Sequence, residues 1–197
     1  METEMSNQNY HHIFYSVIGK HAGEQVEEII KRKQKEIEGC KYSLWAAKID
    51  KKSIEQVWSL NKDDKVYVLC SIRRNAKDPV IKTEVPYYAK KAYGPAPCEL
   101  QELIIPQSIR TSFTKGSNYQ AYVVEKYELL PRPIKFDFGK YESLLRDNTH
   151  KSFKQRFDGF NRFQNAYGCI NEQLEESHTK EIELIMELKY PFVVNLE

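Results

Sequence analysis

Residues 41–72 read KYSLWAAKIDKKSIEQVWSLNKDDKVYVLCSI, and this stretch decides the fold as strand, short helix, turn and strand. Over residues 42–47 the side chains alternate: Tyr42, Leu44 and Ala46 face one way, Ser43, Trp45 and Ala47 the other. Trp45 thus has only small neighbours on its own face. That leaves open space around an indole, which a well-packed core would fill. Trp58, the second tryptophan, follows a capping-box signal from Ser53 and Gln56, and Ile54, Val57 and Trp58 share one helical face. Trp58 is expected in the core and Trp45 at a site.

Working outward, residues 12–18 are rich in β-branched and aromatic side chains and predict a first strand, with Gly19–Gly23 as its exit loop. A helix follows over residues 24–38, with Val26, Ile29, Ile30 and Ile37 on one face and Gly39 as its stop. Residues 73–116 hold five of the eight prolines, predicting long loops with short strands near 80–85 and 103–104. A loop-rich insertion of this length is more often functional than idle. Residues 121–130 predict a strand closed by Pro131 and Pro133. Over residues 152–177, Phe153, Phe157, Phe160, Phe163, Tyr167, Ile170 and Leu174 recur at helical spacing, so a long amphipathic C-terminal helix is expected, packed on the sheet. Residues 181–190 alternate apolar and mostly charged side chains, which favours a last strand, with a helix broken at Pro191 as the alternative. Residues 1–9 are polar and expected to be disordered, leaving residues 10–197 as a single domain.

Hydrophobic content of 41% and charged content of 29% are those of a globular protein, and no apolar run approaches the roughly 20 residues of a membrane span. The N-terminal residues have no signal-peptide pattern, and the four cysteines lie far apart. A reduced cytoplasmic protein, with no membrane partner, is expected. The net charge of +2 divides unevenly: −1 over residues 1–50, +8 over 51–170 and −5 over 171–197. A basic middle with an acidic tail suggests an anionic partner for the middle, or a basic surface kept for solubility.

No catalytic signature stands out. The loop GKHAG lacks the spacing of a phosphate-binding loop, although amides between strand and helix still bind a phosphate weakly. His11, His12 and His21 have no acid or thiol at metal-ligand spacing. No metal and no cofactor are implied. Residues 73–93 instead interleave bases and aromatics. Arg73, Arg74, Lys82, Lys90 and Lys91 are candidates to neutralise phosphates, and Tyr87, Tyr88 and Tyr93 offer faces on which unpaired bases stack for about 1–3 kcal/mol each. Tyrosines that pin a loop to the core are the competing reading.

The sequence of IFYSVIGK, helix, YSLWAA, short helix and VYVLCSI resembles the opening half of a PUA-like domain of the YTH or EVE type. AYVVEKYELLPRP resembles the strand and proline turn that close the barrel in that family. The resemblance covers residues 12–72 and 119–133. It implies an α+β fold built on a small PUA-like mixed β-barrel flanked by helices, to which the long C-terminal helix is added. In YTH relatives the tryptophan of the second strand walls a cage around a methylated adenine. Trp45 matches that position, Lys20 lies where the first strand supplies polar contacts to the base, and Ser43 shares the face of Trp45. Tyr87, Tyr88 or Tyr93 would replace the missing cage aromatics, and the glycine-rich turn expected after VYVLCSI is replaced by RRNAKDP.

The expectation is therefore a non-catalytic nucleic-acid-binding module, for RNA or DNA, that reads a modified or flipped base around Trp45. Two alternatives stand beside it. One is an interaction or inhibitor protein of a mobile element, with a partner or a second copy engaged through the Phe-lined helix. The other is a small-nucleotide-binding protein.

Overall fold

The computed structural model describes residues 10–75, 77–78, 87–95, 101–113, 118–158 and 164–197. In chain order the elements are β1 (His12–Gly19), α1 (Val26–Cys40), β2 (Ser43–Ala47), α2 (Lys51–Trp58), β3 (Val66–Arg73), β4 (Tyr87–Tyr88), β5 (Lys91–Tyr93), β6 (Leu103–Ile104), β7 (Ser112–Phe113), β8 (Gln120–Asp137), β9 (Tyr141–Leu144), β10 (His150–Ser152), α3 (Phe153–Asp158), β11 (Ala166–Ile170) and β12 (Thr179–Leu196). The strand expected near residues 80–85 lies outside the described residues.

Ten strands form one sheet ordered β10-β9-β11-β1-β3-β12-β5-β6, with β8 paired to β12 and β2 paired to β8; β4 and β7 make a separate ribbon. β1 and β3 run parallel, and the remaining pairs are antiparallel. The spine is β12. One edge of it carries β8, and the other carries β3 over Leu184–Glu187 and then β5 at Asn195 and Leu196.

The expected small barrel is not formed: the sheet stays open and the protein is mostly strand. Part of the reason lies at β2, whose outer edge is closed by side chains instead of another strand. Lys33 of α1 donates to the Leu44 carbonyl and, at 2.9 Å, to the Arg110 carbonyl, while Glu36 accepts the Arg110 amide at 3.0 Å. The Leu44 carbonyl on that edge is thus satisfied by a side chain, and the segment at Arg110 is held beside it.

The expected C-terminal helix over residues 152–177 is also corrected. Among the described residues of that span only Phe153–Asp158 is helical, and Ala166–Ile170 is a strand pairing β1 and β9. Helical spacing of apolar residues also arises when a strand buries both its faces. Tyr167 and Cys169 face one cluster with Phe14 and Val57, whereas Ala166 and Ile170 face the other with Phe138 and Phe153. Gly168 completes the fit, because a Cβ there would lie 2.1 Å from the Phe153 ring.

Prolines 131, 133 and 191 do not end their strands. Between the pairs Ile182–Ile134 and Leu184–Leu129 one residue of β12 opposes four of β8, and Pro131 and Pro133 lie in that bulge. Pro191 lies in a second register break, between Leu188–Val124 and Val193–Tyr122. A bulge demands no ladder hydrogen bond from these residues, so proline is tolerated there.

Two helix ends also differ from expectation. Asp50, not Ser53, caps α2, accepting from the Lys52 and Ser53 amides, while the Ser53 hydroxyl accepts the Tyr167 amide. Lys41, with φ of 67°, takes the left-handed position after α1, and Gly39 remains within the helix. One sheet face buries Phe14, Val68 and Met186 beneath α1 and α2; the other buries Ile13, Leu69 and Ile185 against Phe136, Phe138 and Phe153. A third cluster around Leu44, Val123 and Val194 lies under β5 and the β4–β7 ribbon.

Candidate nucleic-acid interface

The alternation read from residues 42–47 is realised. Leu44 enters the third cluster, and Trp45 and Ala47 pack against the helix-covered one. Trp45 pairs across β8 with Tyr122 and stays half-buried, its ring 5.9 Å from that of Tyr127 at a 48° tilt. Ser43 is fully buried, and its hydroxyl is 2.6 Å from that of Tyr127. Burial pushes the Tyr127 phenol well above its ordinary range, so it stays protonated and committed to Ser43.

The two indoles differ at their nitrogens. Trp58 donates from Nε1 to the Val193 carbonyl at 2.8 Å, on the stretch of β12 between its β3-paired and β5-paired segments. It packs against two clusters and plugs that gap. Among the described residues, Trp45 Nε1 has no hydrogen-bond partner, and it is not a buried atom.

The tyrosines divide between the faces. Tyr87 stacks edge-on against Phe113 at 5.0 Å and packs on the cluster that contains Leu44, opposite Trp45. Tyr88 is exposed, with the Arg110 guanidinium 6.0 Å from its ring. Tyr93 lies in a row with Asn195, Gln120 and Ala47, on the face of Trp45. Three strand spacings separate the two rings, about 14 Å, so they do not wall one base together. The Tyr93 hydroxyl donates to the Glu197 carboxylate.

The basic candidates divide as well. Arg74 is paired with Glu183 at 2.6 Å and Glu27 at 3.2 Å, and Lys91 with Glu102 at 2.9 Å. Lys20, Arg73 and Lys90 have no ion-pair partner among the described residues, and Lys82 lies outside them. Arg73 pairs by register with Gly19, which places it and Lys20 at one end of β1 and β3. The uneven charge of the chain partly closes on itself: Lys65 meets Glu187 at 2.8 Å, Lys140 meets Glu172 at 3.0 Å, and Arg74 meets Glu183.

The loop after β1 has its anion already. The Ala22 and Gly23 amides, at φ of 51° and 82°, donate to the Asp78 carboxylate at 3.2 and 2.7 Å. His12 is 2.6 Å from the Tyr167 hydroxyl and His21 3.3 Å from the Ser112 hydroxyl; burial lowers both imidazoles and favours their neutral forms. Among the described residues no group of three acids, histidines or thiols is placed to hold a metal ion. Among the described residues no helix is long and apolar enough to cross a membrane.

Two features escaped the sequence reading. One is the Lys33–Glu36 clamp, whose signal is a charge inside the apolar stripe of Ile29, Ile30 and Ile37. The other is a cleft of about 360 Å³ on the face opposite α1 and α2, floored by Tyr10, Tyr67 and Ile185. Its charges neutralise one another, Lys65 with Glu187 and Lys126 with Glu128. Nothing in sequence announced that cleft, because its residues come from four separate segments. No protein-family model, curated protein or solved structure matches this chain.

Proposed function

We propose that this chain is a non-catalytic nucleic-acid-binding module that stacks an unpaired base on Trp45. The observation that carries this reading is the contrast between the two indoles. Both rings are partly buried, but Trp58 is locked by a hydrogen bond to the Val193 carbonyl, whereas the Trp45 N–H has no hydrogen-bond partner among the described residues. An indole face stacks any base, and its free N–H adds a donor toward a base edge. The unpaired cations Lys20, Arg73 and Lys90 favour an anionic strand. The reading rests on Trp45 itself and takes nothing from a barrel. A reducing, cytoplasmic setting belongs to it, which the free thiols of Cys40, Cys70 and Cys169 suit.

The test is fluorescence titration of a Trp58→Phe variant, in which Trp45 is the only indole, with short single-stranded RNA and DNA, methylated on adenine or not, and with a mononucleotide. Quenching by strands is expected, and binding should fall at least tenfold in Trp45→Ala. Preference for the methylated strand would make the site a modified-base reader. Quenching by the mononucleotide alone would make it a nucleotide pocket. Unchanged strand affinity in Trp45→Ala would sink the proposal.

A further inference from the structure

We infer that the cleft between the first turn of α2 and the turn joining β9 to β10 binds a backbone phosphate of the strand whose base stacks on Trp45. The occupant rests on the nucleic-acid reading; the phosphate chemistry of the cleft does not. The cleft measures about 400 Å³ and is lined by Lys51, Lys52, Glu55, Arg146 and Asn148. That volume falls at the small end of the roughly 300–1,000 Å³ typical of ligand clefts.

The acids nearby are already engaged, Glu55 within the cleft itself by Lys52. Glu55 pairs with Lys52 at 3.3 Å. Asp50 accepts the Lys52 and Ser53 amides, and Asp147 accepts the Thr149 amide at 3.1 Å and its hydroxyl at 2.6 Å. Those hydrogen bonds hold the Asp147 carboxylate below its usual range. Lys51 and Arg146 are left without an ion-pair partner among the described residues.

Both walls are fixed before a ligand arrives. The Asp50 amide donates to the Asn165 carbonyl and the Ser53 hydroxyl holds the Tyr167 amide, tying α2 to the sheet. Across the cleft, Leu145 donates to the Thr149 carbonyl and Asn148 to the Leu145 carbonyl, with Asn148 left-handed at φ 63°. The Arg146 fork and the Lys51 ammonium line one volume and match a phosphate, which accepts several charge-assisted hydrogen bonds at once. Six residues separate Trp45 from Lys51, so their Cα atoms lie no more than about 21 Å apart. A few nucleotides span that distance, and α2 covers the sheet face on which Trp45 packs.

The experiment compares wild type, the double variant Lys51→Gln/Arg146→Gln and the control Lys31→Gln/Lys35→Gln, which removes two charges from exposed positions of α1. Each is titrated with a fluorescent ten-nucleotide single strand and with an abasic strand of equal length, at several salt concentrations. The cleft variant is expected to lose about tenfold on both strands and to flatten the logarithmic salt slope by about 0.7, the value for one phosphate contact on a single strand. The control should change less than twofold. A cleft variant that behaves like the control overturns the proposal. If wild type binds neither strand, titration with pyrophosphate decides. Binding lost in the cleft variant keeps the phosphate site while removing the nucleic-acid reading, and no binding to wild type overturns both.

Discussion

Leu44 and Trp45 are neighbours on β2, yet their surroundings are opposite. At Leu44 the strand edge is sealed: the buried Lys33 ammonium reaches its carbonyl, and Glu36 ties in the Arg110 amide. At Trp45 a large aromatic ring is left half-open, its N–H without a partner among the described residues. Charge buried at the edge is fully hydrogen-bonded, as the cost of burying it requires. The indole side is under no such demand. Closure of an edge thus came from polar side chains, and openness from the choice of alanines beside an aromatic.

The largest effects should come from the sealed side. Lys33→Met leaves two carbonyls without a donor and Glu36 with Arg32 as its remaining cation, so a loss of about 3–5 kcal/mol is expected in denaturant unfolding. The double variant Lys33→Met/Glu36→Leu should recover part of it; a loss under about 1 kcal/mol in the single variant would show that the edge is not held there. Trp58→Ala, which empties a packed site and orphans the Val193 carbonyl, should cost about 3–5 kcal/mol.

Trp45→Ala sharpens the contrast. It should cost only about 1–2 kcal/mol, since the ring packs on one cluster instead of two and holds no hydrogen bond to the fold, while abolishing base-dependent binding. Equal destabilisation by the two tryptophan variants would erase the distinction between locked and open indoles.

Titration offers a subtler check. Burial pushes the Lys33 ammonium down to about 8, from an unfolded value near 10.5. Between those values the unfolded chain holds a proton that the folded one has released. The stability of wild type relative to Lys33→Met should therefore rise from pH 8 to pH 10 and decline as pH falls through 8. Urea midpoints that move apart in the other direction would mean that the ammonium is stabilised by its partners. The smallest effect belongs to the surface: Arg74→Gln should cost below about 1 kcal/mol, because its pairs with Glu27 and Glu183 are largely solvated.

Local sequence pattern was a sound guide over residues 12–72, where β-branched and aromatic runs mark the strands and apolar stripes mark the helices. β1, α1, β2, α2 and β3 lie where residues 12–72 announced them, and Leu103–Ile104 is a strand as expected. It failed over residues 152–177, where a short helix and a strand follow one another under one apolar spacing. In residues 152–177 apolar side chains serve two clusters on opposite sides of β11, and a one-dimensional pattern does not distinguish this from a helical stripe. At the candidate site, Trp45 was legible from its small neighbours. The engagement of Arg74 and Lys91 was not, because Glu183 and Glu102 meet them only after the chain folds.

By itself the sequence determined which residues alternate on β2, which indole would be enclosed by large neighbours, and how charge divides along the chain. The tertiary structure alone decided that the sheet stays open, that the basic middle and acidic tail partly neutralise each other, and that Lys51 and Arg146 share a cleft. Alternation and helical spacing are properties of neighbouring residues, fixed by backbone geometry. Sheet closure, ion pairing and clefts depend on residues tens of positions apart, and only the global packing of the chain selects their distances.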